Sequence, residues 1–443
     1  VDERDLIVTP IVIVVVYFVA FLLRPRLTDS WNYRYYFPAL TFKIIGAITL
    51  GFIYTFYYNG GDTFNYHSHG SRHLWDAFWD SPGQAIRMCF ANGQHHGSFY
   101  EYSRKIIFFS DAPSFFVIRL AFLADLFTGS SYCGTAVIFA FFSFVGMWLL
   151  FLTFYRKYPE LHPWIAVACL FVPSVFFWGS GLLKDTVVMA FLGSLTYSVD
   201  RIFIRKNISP GAVLLLIISV YVIFSIKKFI LQAFLPASLI WIYYDQLVSI
   251  RSLALRMVVL PVVVIGMVGL SYYVIVKVGE GDQRYSVDKL AETARITATD
   301  IRFQTGRFAG SGYTLGELDG TFGSMLRLAP AAVNASLFRP YLWEVRNPLM
   351  LLSALESAGF LVFVIYLILW KRLAVLRAIA NPNVLFCLAF SITFAFAVGV
   401  STFNFGTLVR YKIPLIPFFM VALTLIASAV NKDKKFSALE ETE

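Results

Sequence analysis

The residues most able to do chemistry lie in one run, Tyr58-Asn59-Gly60-Gly61-Asp62-Thr63-Phe64-Asn65-Tyr66-His67-Ser68-His69-Gly70-Ser71-Arg72-His73. It follows an apolar stretch of membrane length and turns through Asn59-Gly60-Gly61. Asp62 is the first carboxylate beyond the turn. Held just outside a helix end, with glycines allowing close approach, it could take a proton from a hydroxyl nucleophile. Tyr66, His67 and His69 follow closely enough to line the same site. Ionisable groups at the mouth of a membrane helix are costly unless they serve a function. A hydrated loop with a helix cap is the plainer explanation. His69 and His73 have the i, i+4 spacing of a metal pair with Asp62 nearby, but no HExxH accompanies them. No metal and no other cofactor is expected.

Four further groups carry charge where apolar helices begin or end. Lys184-Asp185 follows the aromatic run Phe176-Phe177-Trp178 and opens another apolar stretch. It reads either as an ammonium set to meet an anionic headgroup, or as a snorkelling lysine with Asp185 capping the helix. Lys227-Lys228 is a second basic pair. A long polar segment contains Arg302, Arg307, Glu317 and Asp319, then Arg339-Pro340-Tyr341-Leu342-Trp343-Glu344. An arginine beside aromatics suits clamping a phosphate or stacking on a sugar, although a Tyr/Trp/Arg interfacial belt has the same composition. Last comes Arg410-Tyr411-Lys412 before Pro414. Convergence of Lys184, Lys227, Lys228, Arg339, Arg410 and Lys412 on one lipid-linked phosphate would explain these cations together.

The elements that must position these groups are apolar helices. The 443 residues are 58% hydrophobic and 14% charged, with a mean hydropathy of +0.68. Soluble domains average about 25% charged. Apolar runs long enough to cross ~30 Å of hydrocarbon as helices recur along the chain. The fold class is therefore all-α polytopic membrane protein, and barrel strands would show short alternating segments instead. The net charge of +10 sits mostly in short loops, as positive-inside bias requires, so nucleic acid is not an expected partner. The four cysteines lack metal-type spacing and are expected to be free thiols. The acidic start, Val1-Asp2-Glu3-Arg4-Asp5, is unlike a signal peptide, so the first helix is expected to stay.

About eleven spans are predicted, near residues 6–23, 38–58, 132–154, 164–178, 186–200, 212–226, 230–244, 257–276, 349–370, 384–400 and 413–429. Basic clusters such as Arg24/Arg26, Arg156/Lys157 and Lys432/Lys434/Lys435 place the N-terminus outside and the C-terminus in the cytoplasm. One membrane domain over 1–430 is expected, with outer loops at 59–130 and 277–348 and a disordered tail over 431–443. The apolar piece 113–127 is short and charged, so an interfacial helix is expected; only then does the 132–154 span end inside on its basic cluster. Mid-span regions look nearly free of charge, and no inverted repeat is evident.

With these residues placed, the chain resembles the GT-C class of membrane glycosyltransferases, which use polyprenyl-phosphate sugars. The resemblance rests on Gly60-Gly61-Asp62 with Tyr66 opening the first outer loop, on interfacial helices near 74–79 and 113–127, and on outer basic loops including Arg410-Tyr411-Lys412-Ile413-Pro414. It covers roughly the first 250 residues in architecture. It implies Asp62 as base for an acceptor hydroxyl and basic residues holding the donor phosphate. Trp343, Glu344 and Tyr411, with Tyr66, His67, His69 and Asp185, would line the sugar or acceptor site. Two departures stand out: the acid follows the second span rather than the first, and it is single rather than one of an adjacent pair. An aspartate–tyrosine motif after an early span also resembles bacterial exopolysaccharide polymerases. The resemblance thus implies an enzyme at the outer face of a bacterial inner membrane, with a glycan, lipid or protein acceptor. A transporter or flippase for a lipid-linked glycan would use similar outer cations and aromatics.

Overall fold

The computed structural model describes residues 3–248, 295–296, 312–316 and 322–440. The predicted span at 257–276 and Arg302, Arg307, Glu317 and Asp319 lie outside them. The described residues form helices, with one isolated antiparallel bridge between Gly312 and Asn404. The chain comprises two compact units, Val1–Lys228 and Phe229–Glu443.

The first unit contains α1 (Glu3–Leu27), α2 (Tyr33–Phe56), α3 (Asp62–Tyr66), α4 (Arg72–Asp80), α5 (Pro82–Cys89), α6 (Tyr100–Ser103), α7 (Ala112–Thr128), α8 (Tyr132–Tyr155), α9 (His162–Ala166), α10 (Pro173–Trp178), α11 (Lys184–Val199) and α12 (Pro210–Ile226). Its centre is α8, flanked by α1, α2 and α11. Asp5 near the start of α1 accepts from Ser131 Oγ at 2.6 Å and the Cys133 amide at 2.9 Å, placing a carboxylate on the amino end of α8. Trp148 Nε1 donates to the carbonyl of Leu27, at the other end of α1, at 3.0 Å. Thus α1 and α8 run parallel. The helix between them is reversed: Tyr36 meets Trp148 while Gly51 lies against Tyr132. The chain therefore leaves α2 and enters α8 on the same side. The 57–131 segment thus begins and ends on that side of the helices.

Helices α8 and α11 touch backbone to backbone. A Cβ at Gly146 would collide with the Ala190 carbonyl, and one at Gly193 with that of Gly146. Small residues permit such close approach between membrane helices.

The span predicted at 164–178 is not one helix. Pro173 forces Val172 into an extended conformation (φ −67°, ψ 125°), which separates α9 and its continuation from α10. Helix α10 is only six residues long and ends within the protein, leaving carbonyls that need donors. Lys43, wholly buried in the middle of α2, supplies them: its ammonium donates to Gly179 O at 2.7 Å, Val175 O at 3.3 Å and Ser143 Oγ at 3.0 Å. Mid-span charge is thus present at Lys43, where it terminates a broken helix.

In the second unit, numbering the described helices onward, are α13 (Lys228–Val248, whose first residue belongs to the first unit), α14 (Phe322–Arg327), α15 (Ala329–Phe338), α16 (Pro348–Ile379), α17 (Pro382–Ser401), α18 (Phe405–Tyr411) and α19 (Ile416–Glu440). Phe234, Trp241, Phe386, Phe390 and Phe418 form an aromatic core, and Trp241 Nε1 reaches Asn383 Oδ1 at 2.9 Å. The expected span at 413–429 is part of a bent pair, α18 meeting α19 at 67° across the turn that holds Pro414. Helix α19 runs to Glu440, through most of the expected tail.

Among the described residues, six helices are long and apolar enough to cross a membrane, or seven with the bent pair. The segments 212–226 and 230–244 are helical but shorter than that length.

Candidate functional site

Asp62 stands where the chain reverses out of α2. Asn59, Gly60 and Gly61 have φ of 53°, 131° and 125°. At Gly61 a Cβ would also press on the Tyr54 ring. The turn therefore depends on glycine. Gly61 occupies the cap position, so Asp62 is the first residue within α3, half-exposed, with its charge at the helix's positive end. It is not the cap.

The histidines and Tyr66 diverge. Tyr66 is core, its ring 5.5 Å from Phe108. His69 is exposed, and its carbonyl accepts from the Ile107 amide at 3.2 Å. His67 is fully buried, with Nε2 at 3.5 Å from Asp125 Oδ1, which also accepts from Thr135 Oγ1 at 2.5 Å. Both His67 ring nitrogens lack a hydrogen bond, as does Asp125 Oδ2. Thr63 and Tyr132 hydroxyls meet at 2.7 Å beside this pair. The only sequence signal for Asp125 was a carboxylate within an apolar helix; its partner lies 58 positions earlier. Among the described residues, no group of three or more His, Cys, Asp or Glu side chains could hold a metal.

Lys184 and Asp185 open α11 but face different partners. Lys184 Nζ lies 3.2 Å from Asp111, the residue capping α7, which also holds Ser114. Burial pushes the Asp111 pKa up, but Lys184 and the Ser114 hydrogen bonds outweigh it and leave the pKa below the ordinary value. Asp185 is completely buried and ion-pairs with Lys227, itself almost buried. Neither lysine is the bare outer cation that the sequence suggested. Lys228 lies over the Phe224 ring at 4.9 Å.

His67 lies at Asp125 and Gly70 against Ile118, and Thr63 and Phe64 meet Tyr132 just beyond α7, so Asp62 stands past the far end of α7 from Asp111. Fourteen helical residues separate Asp111 from Asp125, roughly 20 Å. Asp62 and Lys184 are therefore not brought to one point. A guanidinium does stand at the Asp62 end: Arg4 donates to Gly129 O at 3.4 Å and lies 5.5 Å from the Trp75 ring centre. Sequence reading did not select it.

The second unit gathers the other predicted residues. Arg339 forms a forked pair with Glu344, with Nε at 3.0 and 3.1 Å from the two carboxylate oxygens. Its guanidinium lies 4.8 Å from the centre of Tyr313 and 5.0 Å from that of Phe405. Tyr313 was missed; it is held by its amide to Phe403 O at 3.0 Å, and burial pushes its pKa up to about 12, so its hydroxyl remains a donor to Thr402 O. Buried Lys412 donates to Arg339 O at 3.2 Å and Ser357 Oγ at 2.9 Å. Trp343 is 79% exposed and stacks on Tyr341 at 4.7 Å, leaving an open aromatic face. Arg410, half-buried, lies 5.9 Å from the Tyr411 ring centre.

Glu344 gives this cluster a pH dependence. Burial works to raise its pKa, but Arg339 and the Tyr341 amide outweigh it and hold it below the ordinary 4.5. A carboxyl with a lowered folded pKa stabilises fully above its unfolded value, and loses that contribution as pH falls through the folded one. The stability difference between wild type and Glu344→Gln in lipid discs should be constant from pH 7 to about 5. It should shrink below the ordinary carboxylate value. Intrinsic-fluorescence melting along that pH series measures it, and a difference that grows in acid would contradict the assignment.

No known family model matches the chain, and comparisons with characterised proteins and with solved structures returned no match. Fold and composition define its class on their own: a multi-pass α-helical membrane protein.

Proposed function

We propose that the chain is a glycosyltransferase of the outer face of a bacterial inner membrane, moving a sugar from a polyprenyl-linked phosphate to an acceptor hydroxyl that Asp62 deprotonates. The observation that carries this reading is a groove of about 390 Å³ between α7, α8 and α11. Leu123, Phe127, Phe142, Thr186 and Val187 help to line it, and Lys184 precedes this lining by two residues on α11. An ammonium one half-turn from an apolar groove suits a phosphate head on a hydrocarbon tail. The Lys184–Asp111 pair is partly exposed, and such pairs contribute only about 0–1 kcal/mol, so a phosphate can compete for the ammonium.

Distance revises the role of Lys184. A base and a leaving group act within hydrogen-bond reach of the same few atoms, and Lys184 stands roughly 20 Å along α7 from the Asp62 end. Lys184 then holds the phosphate of a lipid-linked acceptor whose glycan extends toward Asp62, while Arg4 stands at the reacting end. This favours chain extension over transfer to a small soluble acceptor.

The rival reading, a transporter or flippase, draws support from Lys43 at a broken span. Its hydrogen bonds to two carbonyls and a hydroxyl give it a structural use that transport does not need. Proteoliposomes loaded with radiolabelled polyprenyl-phosphate sugars and a lipid-linked oligosaccharide separate the two. Labelled, extended glycan is the expected product. Movement of label between leaflets without any new glycosidic bond would instead establish the flippase.

A further inference from the structure

Helix α4 carries a pattern that the transferase chemistry does not use. Leu74 and Ala77 are buried and fix one face of the helix. Trp75 and Trp79, spaced i, i+4, form a row on another, with rings 6.2 Å apart. Asp76 and Asp80 form a parallel row one residue on. These rows face a cleft of about 410 Å³ whose other wall includes Glu101 and Tyr102. That volume falls in the range of about 300–1,000 Å³ typical of small-molecule sites. The Tyr102 hydroxyl donates to Asp80 Oδ2 at 2.6 Å, which fixes that carboxylate against the far wall. Trp79 is 66% exposed, so its ring is open to a ligand.

Aromatic rings beside fixed carboxylates suit one chemical class. A pyranose has an apolar face of C–H groups that lies on an indole, and a rim of hydroxyl donors that carboxylates accept strongly. Charge narrows the class. Among the side chains lining the cleft, Asp76, Asp80 and Glu101 outnumber Lys105, Arg4 lies over the outer Trp75 ring, and burial lowers the pKa of His73 and leaves it neutral at pH 7. The lining carboxylates disfavour a phosphate or uronate, whereas an amino sugar would gain from both the carboxylates and the indole faces.

We infer that this cleft binds the glycan portion of a substrate, as a neutral or amino-sugar chain lying across Trp75 and Trp79. Arg4 touches both Trp75 and Gly129, so the cleft opens beside the end of α7 where Asp62 stands. Calling the bound chain a substrate rests on the transferase reading; the binding itself does not.

The test titrates the full-length protein in lipid discs with four tetrasaccharides, those of glucosamine, N-acetylglucosamine, glucose and galacturonate, by calorimetry and saturation-transfer NMR. The glucosamine or a neutral tetramer is expected to bind and the galacturonate tetramer is not. Trp79→Ala should weaken binding at least tenfold and Asp76→Asn several-fold. Both positions are open enough to leave the melting temperature unchanged. Absence of binding by all four tetramers, or wild-type affinity in Trp79→Ala, would overturn the inference. So would quenching of Trp79 fluorescence by lipids brominated on their acyl chains, which would make it a membrane anchor. A protein that binds the glycan but forms no glycosidic bond would remove the transferase reading and leave the cleft intact.

Discussion

Replacing Asp62 with asparagine should lower sugar transfer by about 10² to 10⁴, the usual contribution of a positioned general base, while leaving donor and acceptor binding within about twofold. The substitution keeps the shape and removes the proton acceptor. It does not disturb the turn, because Asn59, Gly60 and Gly61 set the backbone there and Gly61, not Asp62, occupies the cap position. Initial rates and binding isotherms, measured on the same proteoliposome preparations, separate chemistry from folding. A second readout is the pH profile. If Asp62 accepts the proton, the wild-type acidic limb of kcat/KM should disappear in the variant, leaving a low, flat residual rate. Full activity in Asp62→Asn would exclude it from the reaction. Loss of binding together with rate would assign it to substrate recognition.

The second large effect is expected on stability, at Asp185 and Lys227. Both are buried and ion-paired across 42 positions of sequence. Removing one partner strands a buried charge, at a cost of about 3–5 kcal/mol, whereas replacing both with apolar groups of similar volume is often neutral. Asp185→Asn or Lys227→Met alone should therefore lower the melting temperature of the first unit, on the order of 10 °C for a body of this size. Asp185→Leu with Lys227→Met together should recover most of that loss. Thermal melts in detergent, followed by tryptophan fluorescence, supply all three values. Additive losses in the double variant would mean that the residues act separately. The same experiment bears on function: if the double variant folds and still transfers sugar, Lys227 does not hold a phosphate.

Much of the architecture could be read from hydropathy, because a helix that must cross lipid announces itself by length and apolarity. α1, α2, α8, α11, the first part of α16, and α17 all appear near their expected positions. So does the turn before Asp62, since consecutive glycines have few other uses. What stayed hidden depended on contacts between distant residues. Lys184 and Lys227 looked like bare cations because nothing local announces Asp111 or the packing that sends Asp185 toward Lys227. Lys43 was absorbed into its apolar run; its purpose appears only once α10 ends beside it. Pro173 did signal the break, but its aromatic neighbours read as a membrane belt. His67 and His69, two residues apart, seemed to share a site. An intervening π turn, in which His69 adopts a non-helical φ/ψ of −104° and 20°, sends one inward and one outward. The Trp75/Trp79 and Asp76/Asp80 rows were visible in sequence, yet a cleft is needed before such rows mean anything.

The contact between Gly146 and Gly193 reaches further than packing. The carbonyl collisions awaiting any Cβ there mean that α8 and α11 are held at their closest possible separation. The groove beside Lys184 is lined by these same two helices, at Ile138–Phe142 and Thr186–Phe191. Its width is therefore set by two hydrogen atoms just beyond the lining, Gly193 following Phe191 by two residues and Gly146 following Phe142 by four. A single methyl group at Gly146 would press on Ala190, which lines the groove, and one at Gly193 on Gly146; either would act as a shim, prising the pair apart and resizing the groove. Under the proposed transferase reading, selection for carriers of different girth could work through that gap, leaving Lys184 and the turn before Asp62 as they are.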